Sequence, residues 1–354
     1  MKKKLILFIL LALLMSCILI IFFVKLSPIR SEKKEEPSEV LTTLANEAES
    51  MIVMDMNTKR VLNRYNEKKQ MLPASITKIL TCITCIENYD LDHLVVIGDE
   101  IQMVEGSSIY LKVGDVISIR DLLYGLMLCS GNDAATSLAY QLNQNVDDFV
   151  YLMNQTAKRI GMKDSSFANP SGLDRTTKNI TTAYDMALLM SYAMKNETFR
   201  QIVGTKNYRA HLYSDKTMYF HNKHKLLQNN DSVIGGKTGY TKQAHRTLVT
   251  CFKKENFEIV VVTFNCGSDW SFHEKLAQKA FGEYVQKRLI SKLDLFFSTL
   301  TIGKIYVDKK DLLVPVKEDD NISVKLLYND QYVQLTYYEK DEIIASVLLR
   351  RKNE

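Results

Sequence analysis

Three short groups of residues in this 354-residue chain have the types and spacing to do chemistry: Ser75-Ile76-Thr77-Lys78, Ser130-Gly131-Asn132 and Lys237-Thr238-Gly239. A serine hydroxyl is a poor nucleophile until a base takes its proton. Ser75 follows Pro73-Ala74 and is expected to open a helix, which would place Lys78 one turn on, beside it. Lysine serves as a base only when its pKa falls, and both desolvation and a second cation lower it. Lys237 is the candidate for that cation. The backbone N–H of a serine at a helix N-terminus also points toward a developing oxyanion. Gly239, in an expected strand, lets a substrate approach the backbone closely. Spacing alone is weak, since Ser31 and Lys34 repeat it in a polar stretch with no context for chemistry. The weight lies in the order of the three groups and in their surroundings, with Lys237-Thr238-Gly239 following Gly235-Gly236 into a strand. The set implies serine acyl transfer, which needs no metal and no organic cofactor.

The elements that must position these groups can be read from periodicity. Met51–Met56 and Arg60–Tyr65 read as strands turning near Asn57-Thr58-Lys59. A helical stretch runs from Ser75 to about Ile86, and residues 116–160 are largely helical, with Leu122, Leu123, Leu126 and Met127 at helical spacing. Asn169-Pro170-Ser171-Gly172 is a turn, and Thr181 or Thr182 caps a helix that runs to Met194. The period then changes: Leu248–Phe252 and Phe257–Phe264 read as a hairpin, and a helix follows Trp270. Strands bracketing a helical middle suggest a mixed α/β domain, a sheet with a helical insertion. From about residue 290 alternation returns, at Ile322, Val324 and Leu326 and again at Val333, Leu335 and Tyr337, with Asn329-Asp330 as the turn between. The expected organisation is a membrane segment at 1–24, a linker at 25–45, a catalytic domain at 46–289 and a small β-rich module at 290–354.

Composition excludes several classes. Apolar residues make up 46% of the chain and charged residues 25%, as in an ordinary globular protein. Six cysteines are too few for a disulfide scaffold. The formal charge is 46 − 41 = +5, yet residues 1–34 alone hold seven Lys/Arg and one Glu. The body is therefore close to neutral, which argues against a nucleic-acid surface. Lys2, Lys3 and Lys4 precede an apolar run from Leu5 to Val24, long enough to cross a bilayer. The expectation is an uncleaved signal anchor with the body outside the cytoplasm. Leu14-Met15-Ser16-Cys17 also resembles a lipoprotein box, and lipidation or ordinary cleavage would leave the body on the same side.

The three groups together resemble the signature of the penicillin-recognising serine acyl-transferases, and their surroundings resemble the D-alanyl-D-alanine carboxypeptidases, the low-molecular-mass penicillin-binding proteins. Asp121-Leu122-Leu123-Tyr124-Gly125-Leu126, Ser130-Gly131-Asn132-Asp133-Ala134-Ala135, Asn169-Pro170-Ser171-Gly172-Leu173 and Gly236-Lys237-Thr238-Gly239-Tyr240-Thr241 carry that resemblance, over roughly residues 45–290. It implies a β-lactamase/transpeptidase-like fold, an antiparallel sheet flanked by helices with a helical subdomain. It also implies that Ser75 is acylated by a peptidoglycan stem peptide ending in D-Ala-D-Ala, with Lys78 as general base. Ser130 would relay a proton to the leaving amine and Asn132 would hold the substrate amide. Lys237 and Thr238 would bind the terminal carboxylate, and the N–H groups of Ser75 and Tyr240 would form the oxyanion hole. Water would deacylate the enzyme, and β-lactam antibiotics would acylate Ser75 as mimics. His245 and Lys59 stand where the family commonly has glycine, and Ser171 where it commonly has histidine.

Other readings are weaker. A DD-endopeptidase would use the same residues on crosslinks. A class A β-lactamase needs a glutamate between the second and third groups, and only Glu197 lies there, far past the expected place. A catalytically inactive wall-binding protein would not need all three groups. Cys82 and Cys85 are expected to fill the core, His221-x-x-His224 to lie on a surface or loop, and Trp270 to pack.

Overall fold

The computed structural model describes residues 47–213, 216–289, 305–306, 312–328 and 332–351. The apolar run at 5–24, the linker and the Asn329-Asp330 turn lie outside them. Among the described residues, no helix is long and apolar enough to cross a membrane.

Two antiparallel strands come first, β1 (Ala48–Asp55) and β2 (Val61–Tyr65). Their turn holds Lys59 at φ 68°, the left-handed conformation that glycine adopts most easily. A 3₁₀ turn, Ala74–Thr77, leads into α1 (Lys78–Asn88). The helical part continues after the short hairpin of β3 (Leu94–Val96) and β4 (Val116–Ser118) with α2 (Ile119–Leu128), α3 (Asn132–Tyr140), α4 (Val146–Ile160), α5 (Ala183–Ala193) and α6 (Glu197–Gly204). A second small hairpin, β5 (Asn207–His211) and β6 (Thr217–His221), and the short α7 (Lys225–Asn229) return the chain to the sheet. There it forms β7 (Val233–Thr241), β8 (His245–Lys254) and β9 (Phe257–Cys266), then α8 (Asp269–Glu283).

The main sheet has the order β2-β1-β9-β8-β7, antiparallel throughout, so β7 is an edge strand. The strands β1 and β9 are apolar on both faces, as sheets covered on both sides must be. Ile52, Met54, Val260, Val262 and Phe264 belong to the large core shared with the helical subdomain, and their neighbours Met51, Val53, Ile259 and Val261 to the core under α8. Cys82 and Cys85 are in the large core, as their helical spacing predicts. Local signals set the helix starts. The hydroxyls of Ser118 and Thr182 accept from Asp121 N and Asp185 N, each at 3.0 Å, stabilising α2 and α5 by about 1 kcal/mol apiece.

Past α8, β10 (Val285–Arg288) pairs with β12 (Leu313–Val316). A four-stranded antiparallel sheet follows, ordered β11 (Ile305–Tyr306), β15 (Glu342–Arg351), β14 (Tyr332–Glu339) and β13 (Ile322–Tyr328). In it Val324 faces Tyr337 and Leu326 faces Leu335, the alternation expected for this stretch. Arg60, at the start of β2, joins this module to the body. Its guanidinium donates to the Pro315 carbonyl and lies 2.7 Å from the Asp320 carboxylate, with both side chains buried.

Candidate active site

Ser75 sits in the 3₁₀ turn that precedes α1, not in the α-helix that the sequence suggests. The difference matters, because side chains three apart in a 3₁₀ turn eclipse one another. Lys78 consequently stands over Ser75, with Nζ 3.0 Å from Ser75 Oγ. Two further acceptors hold the amine: Asn132 Oδ1 at 2.7 Å and the Ser171 carbonyl at 2.7 Å. The backbone enters the turn through Ala74 at φ 49°. The Asn169–Leu173 loop is packed against it so tightly that a Cβ on Gly172, itself at φ 84°, would lie 1.8 Å from the Ala74 carbonyl oxygen. Only glycine fits there.

Ser130 and Asn132 occupy the break between α2 and α3. Ser130 takes φ 63°, an uncommon conformation for a residue with a side chain. The break is tethered from outside. Asn132 donates to the Glu105 carbonyl at 2.6 Å, and its own N–H to the Ser107 carbonyl at 2.7 Å. The buried Asp133 carboxylate accepts from Ser108 Oγ at 2.5 Å, Ile109 N at 3.1 Å and Leu111 N at 3.2 Å. Sequence reasoning assigned Asp133 no task, and its adjacency to Asn132 was the available signal.

Lys237, Thr238, Gly239 and Tyr240 lie along β7, beside the Ser75 turn. Lys237 Nζ is 3.0 Å from Ser130 Oγ and 2.9 Å from the Thr238 carbonyl. A Cβ on Gly239 would sit 2.9 Å from Ser75 N and 2.3 Å from Thr247 Oγ1. The close approach expected at this glycine is thus made first by the protein itself, bringing the strand against the serine. Ser75, Ser130, Thr238, Gly239 and the exposed Tyr240 open onto a cleft of about 350 Å³, while Lys78, Asn132 and Lys237 are buried behind its surface. A larger groove, of about 500 Å³, lies where β2 meets the C-terminal module, but its lining holds no serine–lysine pair.

Burial dominates the electrostatics. Lys78 is fully buried, and loss of water holds its pKa well below the ordinary lysine value, with the charges of Lys237 and Lys223 adding and Asp133 opposing. Burial likewise pulls Lys237 down to about 7, helped by Lys223. Lys237 does act on Lys78 as the sequence suggests, but desolvation outweighs it. The other contributor, Lys223, is an exposed side chain on the cleft wall that no motif marked. Arg246 stands nearby, paired to Asp269 through contacts of 3.0 and 2.7 Å, with its guanidinium 5.9 Å from the Trp270 ring centre.

Two expectations need correction. His224 is not on the surface: it is buried under β7, with Nε2 3.0 Å from Thr250 Oγ1, and a Cβ on Gly236 would lie 2.5 Å from that nitrogen. Only His221 of that pair is exposed. Trp270 packs edge-on against His224, as expected for a packing residue, but it also lines the cleft. His245 takes φ 56°, which accounts for the preference for glycine at that place. Glu197 is exposed in the first turn of α6 and does not line the cleft. Among the described residues no cluster of three or more His, Cys, Asp or Glu is placed to hold a metal ion.

A peptidase family model described as D-alanyl-D-alanine carboxypeptidase matches residues 34–268. The D-alanyl-D-alanine carboxypeptidase DacF of Bacillus subtilis is 28% identical over 338 residues, covering 88% of this chain and 86% of that protein. The D-alanyl-D-alanine carboxypeptidase DacB2 of Mycobacterium tuberculosis is 34% identical over 216 residues, or 60% of this chain and 73% of that one. Among solved structures, a D-alanyl-D-alanine carboxypeptidase from Mycobacterium tuberculosis superposes with a TM-score of 0.64 at 28% identity, covering 73% of this chain and 96% of that one. The chain belongs to the D-alanyl-D-alanine carboxypeptidase family and is a serine-type D-Ala-D-Ala carboxypeptidase of the penicillin-binding, transpeptidase-like fold.

Proposed function

We propose that the chain removes the terminal D-alanine from peptidoglycan stem pentapeptides through an acyl-enzyme on Ser75. The observation that carries this reading is the environment of Lys78 Nζ. A neutral amine has two N–H donors and one lone pair. The Asn132 and Ser171 oxygens, each 2.7 Å away, take the two donors, which leaves the lone pair for the Ser75 hydroxyl at 3.0 Å. Burial favours the neutral amine, which suits Lys78 to accept that proton.

The terminal carboxylate of the substrate binds Lys237 and Thr238, and its charge favours the protonated form of Lys237. As Ser75 Oγ attacks the D-alanyl carbonyl, its proton passes to Lys78. The N–H groups of Ser75 and Tyr240 receive the oxyanion. The C–N bond breaks as Ser130, in contact with Lys237 at 3.0 Å, hands a proton to the departing amine of D-alanine. Lys78 passes the proton it took from Ser75 on to Ser130; neutral again, it draws a proton from water, which attacks the ester, and returns that proton to the Ser75 oxygen as it leaves. Side chains and water supply every part. β-Lactams acylate Ser75 as stem-peptide mimics.

In this reading residues 46–289 are the peptidase domain, facing the wall outside the cytoplasm, with 1–24 as membrane anchor, 25–45 as linker and 290–354 as a spacer or partner-binding module. The test is D-alanine release from a diacylated Lys-D-Ala-D-Ala peptide by the full-length protein in detergent, beside Ser75→Ala. Release by the parent and none by the variant is expected. No release from this monomer, with cleavage of crosslinked muropeptide dimers, would replace the reading by an endopeptidase.

A further inference from the structure

The loop Asn169–Arg175 runs behind the site from Lys78 and the Ser75 turn to the end of β7. Its Ser171 carbonyl holds Lys78 at 2.7 Å, and Gly172 abuts the Ala74 carbonyl that leads into Ser75. Arg175 pairs with Glu105, whose carbonyl holds Asn132. Between them stands Asp174, buried, whose Oδ2 accepts from Thr241 Oγ1 at 2.5 Å. Thr241 is the last residue of β7, directly after Tyr240, and its hydroxyl in turn accepts from Ala244 N at 2.9 Å. Gln243 Nε2 reaches the Asp174 carbonyl at 3.5 Å. The loop therefore spans from the base to the far end of the substrate-binding strand, and the Asp174 carboxylate is its attachment there.

From this juxtaposition we infer that Asp174 is a positioning residue for the acylation step: through Thr241 it holds the Tyr240 end of β7 in register with Ser75 and Lys78. It touches neither substrate nor reacting atoms. The carboxylate-binding residues Lys237 and Thr238 lie further back on β7, Lys237 in contact with Ser130; pairing with β8 runs along the whole strand to Thr241, and Asp174 adds at that end a tether that Lys237 and Thr238 do not share. Losing the attachment should leave ground-state binding of the terminal carboxylate nearly intact and impair the step in which the oxyanion forms. A displacement of about 1 Å at such a point costs on the order of 10²-fold in rate. The inference rests on the acyl-enzyme reading above.

The experiment measures the rate of Ser75 acylation by a fluorescent penicillin, with kcat and KM for D-alanine release, in the full-length protein. Asp174→Ala should lower acylation and kcat by about tenfold to a hundredfold with KM changed less than about threefold. Asp174→Asn, whose amide oxygen can still accept from Thr241, should recover most of the rate. Thr241→Val should match Asp174→Ala, and the double variant should be no slower than either single one, because one contact is lost in all three. Thermal midpoints within a few degrees of the parent separate this from general unfolding. Should Asp174→Ala misfold, Thr241→Val against Thr241→Ser makes the same comparison from the other partner. Acylation by Asp174→Ala within twofold of the parent, a loss confined to KM, or additive losses in the double variant would each overturn the assignment. Failure of the parent itself to be acylated would instead remove the acyl-enzyme reading.

Discussion

Lys78 and Lys237 form the floor of the cleft and are shut away from water, whereas Lys223 and Lys225, a few residues before β7, stand on its wall in solvent. The four side chains are chemically identical, so the difference between floor and wall is made by what surrounds them. On the floor, desolvation costs the charged form more than any neighbour returns, and the amines become able to take up protons. On the wall, Lys223 acts on the floor from a distance as a field. The same contrast runs between sequence neighbours: Lys223 projects into solvent, and His224 beside it is buried among Thr250, Trp270 and the Gly236 backbone.

The sharpest way to break this comparison is to put a floor residue beyond the reach of neutralisation. Lys78→Arg keeps a cation of similar length but one that does not give up its proton in proteins. Acylation by penicillin should fall by about 10²-fold or more, as for Lys78→Ala. If the arginine variant acylated at a tenth of the parent rate or better, proton transfer to Lys78 would be excluded. A smaller effect is expected from His224, whose pKa burial pushes down to about 4. The unfolded chain would bind that proton near pH 6.5. Its folded pKa is depressed, so the native state is favoured above about 6.5 and loses that advantage as pH falls toward 4. The loss amounts to about 3 kcal/mol for this one group. Urea unfolding at pH 7 and pH 4.5 should show it, and His224→Gln should flatten the difference. An unchanged pH dependence in that variant would place the acid sensitivity elsewhere. The smallest effect belongs to the wall. Lys223→Ala should shift the acidic limb of the kcat/KM profile upward by less than about half a pH unit, and the shift should fade at 1 M salt, where screening acts within about 3 Å. A salt-independent shift of a full unit would make Lys223 part of the floor.

What could be read from the chain alone follows from how each feature is encoded. The sheet strands Leu248–Phe252 and Phe257–Phe264, the cap at Thr182 and the turn at Lys59 are local, and composition and period are enough to find them. The three candidate groups are local as well. Their meeting is not: β7 reaches Ser75 only because Gly239 has no side chain, and Lys78 is held by the Ser171 carbonyl, a backbone atom that no residue type announces. His224 was misread because histidine in a polar stretch looks solvated. Its burial depends on Gly236 leaving room beneath β7, a fact of the sheet and not of the neighbouring residues. Asp133, Asp174 and Lys223 were passed over for a related reason. Each acts on a group distant in sequence, and apart from the adjacency of Asp133 to Asn132 nothing in its own surroundings distinguishes it from a surface charge.

Arg60 leaves a different kind of mark. Strand β10 runs out of the body directly into pairing with β12, and the Arg60–Asp320 contact, sealed from solvent beside Tyr284, closes the junction on the other side. Removing either partner strands a charge in the interior, which costs far more than the intact pair contributes. Body and module are therefore expected to unfold together, giving one calorimetric transition in place of two.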